Sequence, residues 1–351
     1  MFVRNEMKDK EGIEKYIHDF ILNRPHVFIL GAGATIAAIP HGDKNGLKCS
    51  VMNNFIEELN LSPLLASVKL KTTSSNLEDI YSELDSIPDY SSVKDELENQ
   101  IIRKFSQYVL PAKPTIYDYL ILSLRSKDYI FTFNWDDLLI QAYNRVCTIT
   151  KDLPQLVFLH GNIGVGICND CKAIQSYRNS HCYKCFSTEI HRPKLLFPVK
   201  KKNYNSDPYI SNSWNGFLEI IKNASILTIF GYSAPKTDVE AIAAMRIAFS
   251  STFRKYDQIE IIDVKPESEL LDTWHDFIEP TNFHVNTYKN LFDSIIGEFP
   301  RRSIEGYYKR NFNGWWGEST LKLQACSNFK DLQAMVSTLI QNENQGNFEV
   351  I

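Results

Sequence analysis

Apolar positions recur along this chain in two rhythms. Where they return every three or four residues they predict helices: Ile13, Tyr16, Ile17, Phe20 and Ile21 over about 10–23, then Val51, Phe55, Ile56 and Leu59. The same spacing predicts helices over about 115–125, over 239–249, and around Leu332, Met335, Leu339 and Ile340. Where apolar residues run unbroken and stop at a polar turn they predict strands: 27–30 in "HVFILGAGAT", "DYIFTFNWDD" from 128, "QLVFLHGNI" from 155, "ASILTIFGYSAP" over 224–235 and "QIEIIDVKP" over 258–266. Unbroken apolar strands alternating with helices describe a mostly parallel sheet covered on both faces, a Rossmann-like α/β fold. Residues 61–110 interrupt it with a Ser/Thr-rich stretch and two helical patterns, which read as a helical insertion.

An open parallel sheet binds ligands beyond the carboxyl ends of its strands. That is where the exposed polar residues collect: Gly31, Ala32, Gly33, Ala34 and Thr35 after the first strand, Asn134 and Asp136 after the second, and His160 to Asn162 after the third. Gly231, Tyr232 and Ser233 follow the fourth, and Asp263 ends the fifth. Glycines at 31 and 33 let a backbone approach a pyrophosphate, or they simply form a tight turn. The dehydrogenase fingerprint is broken, because Ile36 replaces its third glycine and the helical "SVMNNFIEEL" stands where an acidic strand end is needed.

Charge and cysteine content narrow the picture. The 351 residues carry 38 lysines and arginines against 42 acidic residues, a net charge of −4, so nothing general favours direct nucleic-acid binding. The N-terminus alternates charges and lacks the apolar core of a signal peptide, and no window is apolar enough for a membrane span. Four of the seven cysteines form Cys168-x2-Cys171-x10-Cys182-x2-Cys185, two knuckles that can offer four thiolates to a zinc ion or remain free thiols. A closed four-sulfur site leaves no position for substrate, which makes such a metal structural. These features together place the protein in the cytoplasm.

In order, "GAGAT", "TFNWD", "LHG", the paired CxxC knuckles, "FGYSAP" and "IIDVKP" resemble the successive elements of the sirtuin fold over residues 26 to about 266. The chain departs from protein-deacylating sirtuins at three places. "IAAIPHGDKNG" keeps Ile39-Pro40 without the following Phe and Arg, Phe133 replaces the glutamine before Asn134, and "RPKLLFPVKKKNY" lacks the Phe-Gly-Glu stretch that binds the acylated peptide. In these features it is similar to the sirtuin-like NAD-hydrolysing effectors of bacterial antiviral defence. That resemblance implies cleavage of NAD+ to nicotinamide and ADP-ribose, homo-oligomerisation, and pairing with a separately encoded ring ATPase of the DNA-translocating type. Protein deacylation and a non-enzymatic nucleotide-sensing role are the alternatives.

Asn134 is, by resemblance, the first catalytic candidate, holding ribose hydroxyls or orienting water; otherwise it caps a turn. His160, with an unperturbed pKa of about 6.5, can take a proton from a ribose hydroxyl or from the attacking water, or serve structurally. Asp136 can accept hydrogen bonds from the nicotinamide carboxamide or cap the helix that begins at Leu138, and Asp137 is the weaker candidate for either role. The glycine turn, Gly231 to Ser233 and Asp263 are expected to hold phosphate and ribose. Phe133 and Trp135 either wall the nicotinamide site or belong to the core.

The expected organisation is an NAD-binding unit over 1–295, with the zinc module at about 165–192, followed by an extension over 296–351. In that extension Arg301, Arg302, Lys309 and Arg310 interleave with Tyr307, Tyr308, Trp315 and Trp316, as in a nucleic-acid or protein interface. A helical segment folded over the sheet is the structural alternative.

Overall fold

The structure is a computed structural model that describes residues 22–49, 54–197, 204, 207–233, 238–250, 257–278, 285–315, 317, 319 and 321–348. The helix expected over 10–23 therefore lies almost wholly outside the described residues, as do Val51 and Trp316. In chain order the elements begin β1 (His26–Leu30), α1 (Ala32–Ala38), α2 (Phe55–Glu58), α3 (Ser62–Leu65), α4 (Leu77–Ser86), α5 (Ser91–Phe105) and α6 (Ile116–Leu122). Next come β2 (Tyr129–Thr132), α7 (Leu138–Val146), β3 (Gln155–Phe158), β4 (Val165–Cys168), β5 (Ile174–Ser176), β6 (Ile190–His191) and α8 (Pro208–Asn223). The rest are β7 (Ile226–Phe230), α9 (Val239–Ser250), β8 (Gln258–Ile262), α10 (Glu267–Ile278), β9 (Val285–Tyr288), α11 (Ile295–Glu298), α12 (Ser303–Phe312) and α13 (Phe329–Asn344).

Six strands form one sheet in the order β3-β2-β1-β7-β8-β9, and every pairing in it is parallel. All five residues of β1 are buried because both faces of the sheet are covered. Successive side chains alternate across a strand. Phe28 and Leu30 enter a core shared with α1, α6, α7 and the insertion, while Val27 and Ile29 enter a second core shared with α8, α9 and α10. The expected α/β sheet is thus present. It gains one strand the apolar pattern did not show, because β9 reads VNTY, is half-buried and lies at the sheet edge.

The insertion is not an appendage. Leu77, Ile80 and Leu84 of α4 and Leu97, Ile101 and Phe105 of α5 belong to the first core. A second sheet, β5-β4-β6, is antiparallel and carries the cysteine pairs.

The C-terminal stretch is built inward too. Ile304 and Tyr307 pack with Ile226, Ile295 and Phe299, and Leu323, Leu332 and Val336 join the first core. Arg301, which the sequence fits to an interface or to the interior of a folded-over segment, is 2% exposed. Its Nε donates to both oxygens of Glu343 at 2.9 and 2.7 Å, its Nη2 to Asp152 at 2.9 Å, and its Nη1 to the carbonyls of Leu122 and Leu124. A buried guanidinium is tolerated only with its donors matched in this way, and here they tie α13 to the turn after α6. Arg302 is equally buried, Arg310 pairs with Glu298, and Lys309 lies over the Trp315 ring. These basic residues serve the interior and its edge, as the structural alternative held. Among the described residues no helix is long and apolar enough to cross a membrane.

Candidate functional site

The carboxyl ends of β1, β2, β7 and β8 surround a cavity of about 480 Å³. That volume lies within the usual range for small-molecule and cofactor sites. Its floor is a crossing of two turns that only glycine permits. The Gly31 amide donates to the Phe230 carbonyl at 3.0 Å and the Gly33 amide to the Gly231 carbonyl at 2.9 Å. A Cβ on Gly31 would fall 2.5 Å from the Tyr232 Cα, and one on Gly231, whose φ is +60°, would fall 2.4 Å from the Ala34 nitrogen. The glycines are therefore required first by the approach of β1 to β7, and the amides of Gly31 and Gly33 serve that crossing. Gly31, Ala32, Gly33 and Thr35 line the cavity, while Ala34 turns its methyl into the core beneath.

Thr35 is the hub of the site. It is fully buried, and its hydroxyl lies 2.7 Å from the Tyr117 phenol, 2.9 Å from Asp136 Oδ2 and 3.0 Å from Asn134 Nδ2. A hydroxyl has one proton to give. With Asp136 ionised, Thr35 donates to it and accepts from both Asn134 and Tyr117. The Asn134 amide also donates to the Gly31 carbonyl at 2.8 Å, so this side chain is fixed against the glycine turn. Asp136 is 5% exposed, and burial raises its carboxyl to about 6 against the hydrogen bonds from Thr35 and the Leu138 amide. The Leu138 bond, 3.1 Å to Oδ1, means that Asp136 both receives the first amide of the next helix, whose N-cap is Asp137, and faces the cavity. Burial holds the Tyr117 phenol well above its ordinary range, so it stays a donor.

His160 lines the same cavity, with its ring edge-on to Phe133 at 4.8 Å. Gly161 behind it has φ +75°, and an added Cβ would meet the Lys194 carbonyl at 2.8 Å, so the turn that aims the histidine depends on glycine. Asn162 sits beneath and donates from Nδ2 to the carbonyls of Asp136 and Asn134. Phe133 stacks on Tyr232 at 4.3 Å, and the Tyr232 hydroxyl donates to Asp238 at 2.7 Å. Gly231, Tyr232, Ser233 and Asp263 all line the cavity, and Asp263 accepts from the Lys265 amide at 3.0 Å. Phe133 and Trp135 are buried and still line it, so wall and core are one surface here.

Sequence reasoning missed Tyr117, Asp238 and three residues of or beside the insertion helices, Asn76, Glu78 and Phe105, which close the cavity from the side. Asn76 caps α4 by accepting from the Glu78 amide at 2.8 Å, a start signal legible in "SSNLEDI". Nothing local shows that this helix end faces β1. Among the described lining residues the carboxyls Glu78, Asp136, Asp238 and Asp263 stand against a single lysine, Lys265. Carboxyls thus outnumber basic groups in the described lining.

The four cysteines converge. Their sulfur atoms all lie within 4.8 Å of one another, with Cys168 to Cys185 and Cys171 to Cys182 at 3.4 Å. A tetrahedral zinc with bonds of about 2.3 Å needs sulfurs about 3.8 Å apart, so the donor set fits a structural zinc. The two knuckles repeat one geometry, the Lys172 amide donating to the Cys168 carbonyl and the Phe186 amide to that of Cys182. Burial opposes ionisation of Cys182, but the amides of Cys185 and Lys184 outweigh it and draw the thiol down to about 6, which readies it as a ligand. His181 is exposed and bonds to Ser180, outside the sulfur set.

Fold and site together define a doubly covered parallel α/β protein with a strand-end cavity and a four-thiol module beside it. No family model matches the chain, and no curated protein matches it. Solved structures of Sir2 enzymes do match. One, in complex with EX-527, 2′-O-acetyl-ADP-ribose and a deacetylated p53 peptide, has a TM-score of 0.36 and 15% identity over 86% of this chain and 98% of its own. A Sir2 homolog–NAD complex has a TM-score of 0.36 and 13% identity, covering 84% of this chain and 94% of its own.

Proposed function

We propose that this chain is an NAD+ hydrolase that cleaves the nicotinamide–ribose bond to give nicotinamide and ADP-ribose. The observation that carries this reading is the convergence of Asn134, Asp136 and His160 with the Gly31–Thr35 turn, Ser233 and Asp263 around one acidic cavity. The nicotinamide ring of NAD+ is cationic, so it leaves without protonation and C1′ passes through an oxocarbenium-like state. Buried carboxylates stabilise that positive charge more strongly than water does. In this reading Asp136 accepts from the carboxamide, and Asn134, its amide protons held by Gly31 and Thr35, orients water or a ribose hydroxyl with its carbonyl oxygen. The water oxygen bonds to C1′, the electron pair of the C1′–N bond returns to the ring, and His160 takes the water's proton. Asp263 and Ser233 hold the ribose and phosphate of the adenosine half. A bound zinc at Cys168, Cys171, Cys182 and Cys185 keeps the module folded.

A second reading, NAD-dependent protein deacylation, is favoured by the apolar half of the cavity, where Phe55, Phe105, Trp135 and Leu196 offer room for an acyl chain. The resemblance to antiviral effectors supplies the biological setting proposed for the hydrolase: NAD+ depletion in an infected cell, restrained until homo-oligomerisation or a ring-ATPase partner releases it. The test is NAD+ consumption by the full chain, resolved into nicotinamide and ADP-ribose, with and without an acylated peptide. Peptide-independent products lost in both Asn134→Ala and His160→Ala support the hydrolase; turnover only with peptide supports the deacylase; absence of NAD+ binding removes both. Phage challenge of expressing cells, with NAD+ assayed over time, tests the defence setting.

A further inference from the structure

One charged contact links the four-cysteine module to the cavity. Arg178 lies in the loop between the two knuckles, and its Nε and Nη2 donate to Asp137 Oδ2 at 3.0 and 2.7 Å. The other oxygen, Oδ1, accepts from Gln141 at 2.7 Å. Asp137 is 3% exposed and directly follows Asp136, whereas the Arg178 side chain is 56% exposed. A carboxylate this deeply buried needs a charged partner, and this guanidinium reaches it from outside.

The base of the module grips the same turn from a second direction. The Ile163 amide donates to the Trp135 carbonyl at 2.9 Å, and Asn162 binds the carbonyls of Asn134 and Asp136. There is no slack at this junction, since a Cβ on Gly164 would lie 2.6 Å from that of Asp137. The loop bearing Arg178 is itself anchored: the Tyr177 amide donates to the Gly164 carbonyl at 2.7 Å, and the Arg192 guanidinium covers the Tyr177 ring at 3.9 Å.

We infer that Arg178 is a positioning residue: carried on the four-cysteine module, it fixes Asp137 and through it the Asn134–Asp136 turn that lines the cavity. Its effect on turnover rests on the reading of the cavity given above, while its effect on the order of the turn does not. Arg178→Gln, Arg178→Lys and Asp137→Asn in the full chain, each checked for zinc content, separate the two. Hydrogen exchange of peptides spanning 133–138 should rise about tenfold in Arg178→Gln and Asp137→Asn with β1 and β7 unchanged, and Arg178→Lys should recover part of the protection. NAD+ cleavage should lose about tenfold to a hundredfold in kcat with KM little changed, because misplacement rather than lost binding is at work. Unchanged exchange in Arg178→Gln overturns the inference. So does a rise in Arg178→Gln that Asp137→Asn does not reproduce at full zinc content, since the module would then act by another route. If the unaltered chain does not cleave NAD+, the functional reading fails and the exchange result alone decides on Arg178.

Discussion

Two buried polar networks in this molecule share one design and differ in where they end. At the cavity, Asn134 and Tyr117 bond to Thr35, and Thr35 to Asp136. Across the middle of the sheet, Ser303 bonds to His26 Nδ1 at 2.8 Å, His26 Nε2 to Thr228 at 2.7 Å, and Thr228 donates to Glu260 at 3.0 Å. Each is a threonine hydroxyl feeding a buried carboxyl, and burial raises both acids, Asp136 to about 6 and Glu260 to about 7. When Glu260 is ionised, Thr228 gives it its only proton and His26 donates from Nε2; the neutral ring then accepts at Nδ1 from Ser303. Burial accordingly lowers His26 to about 3. The first network lines a cavity and the second is sealed between β1, β7, β8 and the C-terminal segment. A buried titratable chain is therefore not by itself a site; access for a ligand makes the difference.

His26→Ala separates the two networks most strongly. Truncating a fully buried ring and removing one hydrogen bond from each of its two hydroxyl partners should destabilise the fold by about 3–5 kcal/mol, seen as a lower Tm, with NAD+ turnover per folded molecule unchanged. A fall in turnover would give the sealed network a functional role. Asn134→Ala should do the reverse, losing about 10²- to 10³-fold in kcat with only about 1 kcal/mol of stability. A stable variant with full activity would reduce Asn134 to a turn cap.

Thr35→Val and Thr228→Val form a matched pair, each removing one hydroxyl at nearly constant volume. Each should cost about 1–3 kcal/mol in denaturant unfolding, because a buried acid loses its donor. Only Thr35→Val should also move the acid limb of the activity profile, near pH 6 for Asp136, to higher pH.

The smallest effect is a slope of stability with pH. Glu260 is raised from 4.5 to about 7 on folding, so its contribution is fully present below 4.5 and is lost as pH rises through 7. His26 is lowered from 6.5 to about 3, so its contribution is present above 6.5 and is lost as pH falls toward 3. Urea unfolding of Glu260→Gln should accordingly gain on the unaltered chain between pH 4.5 and 7. A parallel pair of curves would mean that Glu260 titrates normally.

Much of the fold is legible in the sequence, and the reasons are local. The runs at 27–30, 129–132, 155–158, 226–230 and 258–262 announced strands because a sheet covered on both faces leaves no polar position along them. The cysteine spacing announced the sulfur cluster because CxxC closes a knuckle on its own. Arg301 and Arg302 carry no sign of burial in the sequence, since charge looks the same inside and out; Arg301 is made tolerable in the interior by Glu343 and Asp152, 42 and 149 residues away, and Arg302 donates to the Asn347 carbonyl, 45 residues away.

Periodicity and short spacing along the chain set the alternation of elements, the strand ends at which the polar residues gather and the four thiols that meet. Only the folded chain shows that Gly31 and Gly33 are required by a crossing with Gly231, that Tyr117 and Asp136 share the Thr35 hydroxyl, that α4 brings Asn76 and Glu78 to the cavity, and that Arg178 reaches Asp137. The physical reason is distance along the chain. Contacts between residues tens to hundreds of positions apart are selected by packing and by the cost of leaving a buried polar group unmatched, and neither leaves a local mark.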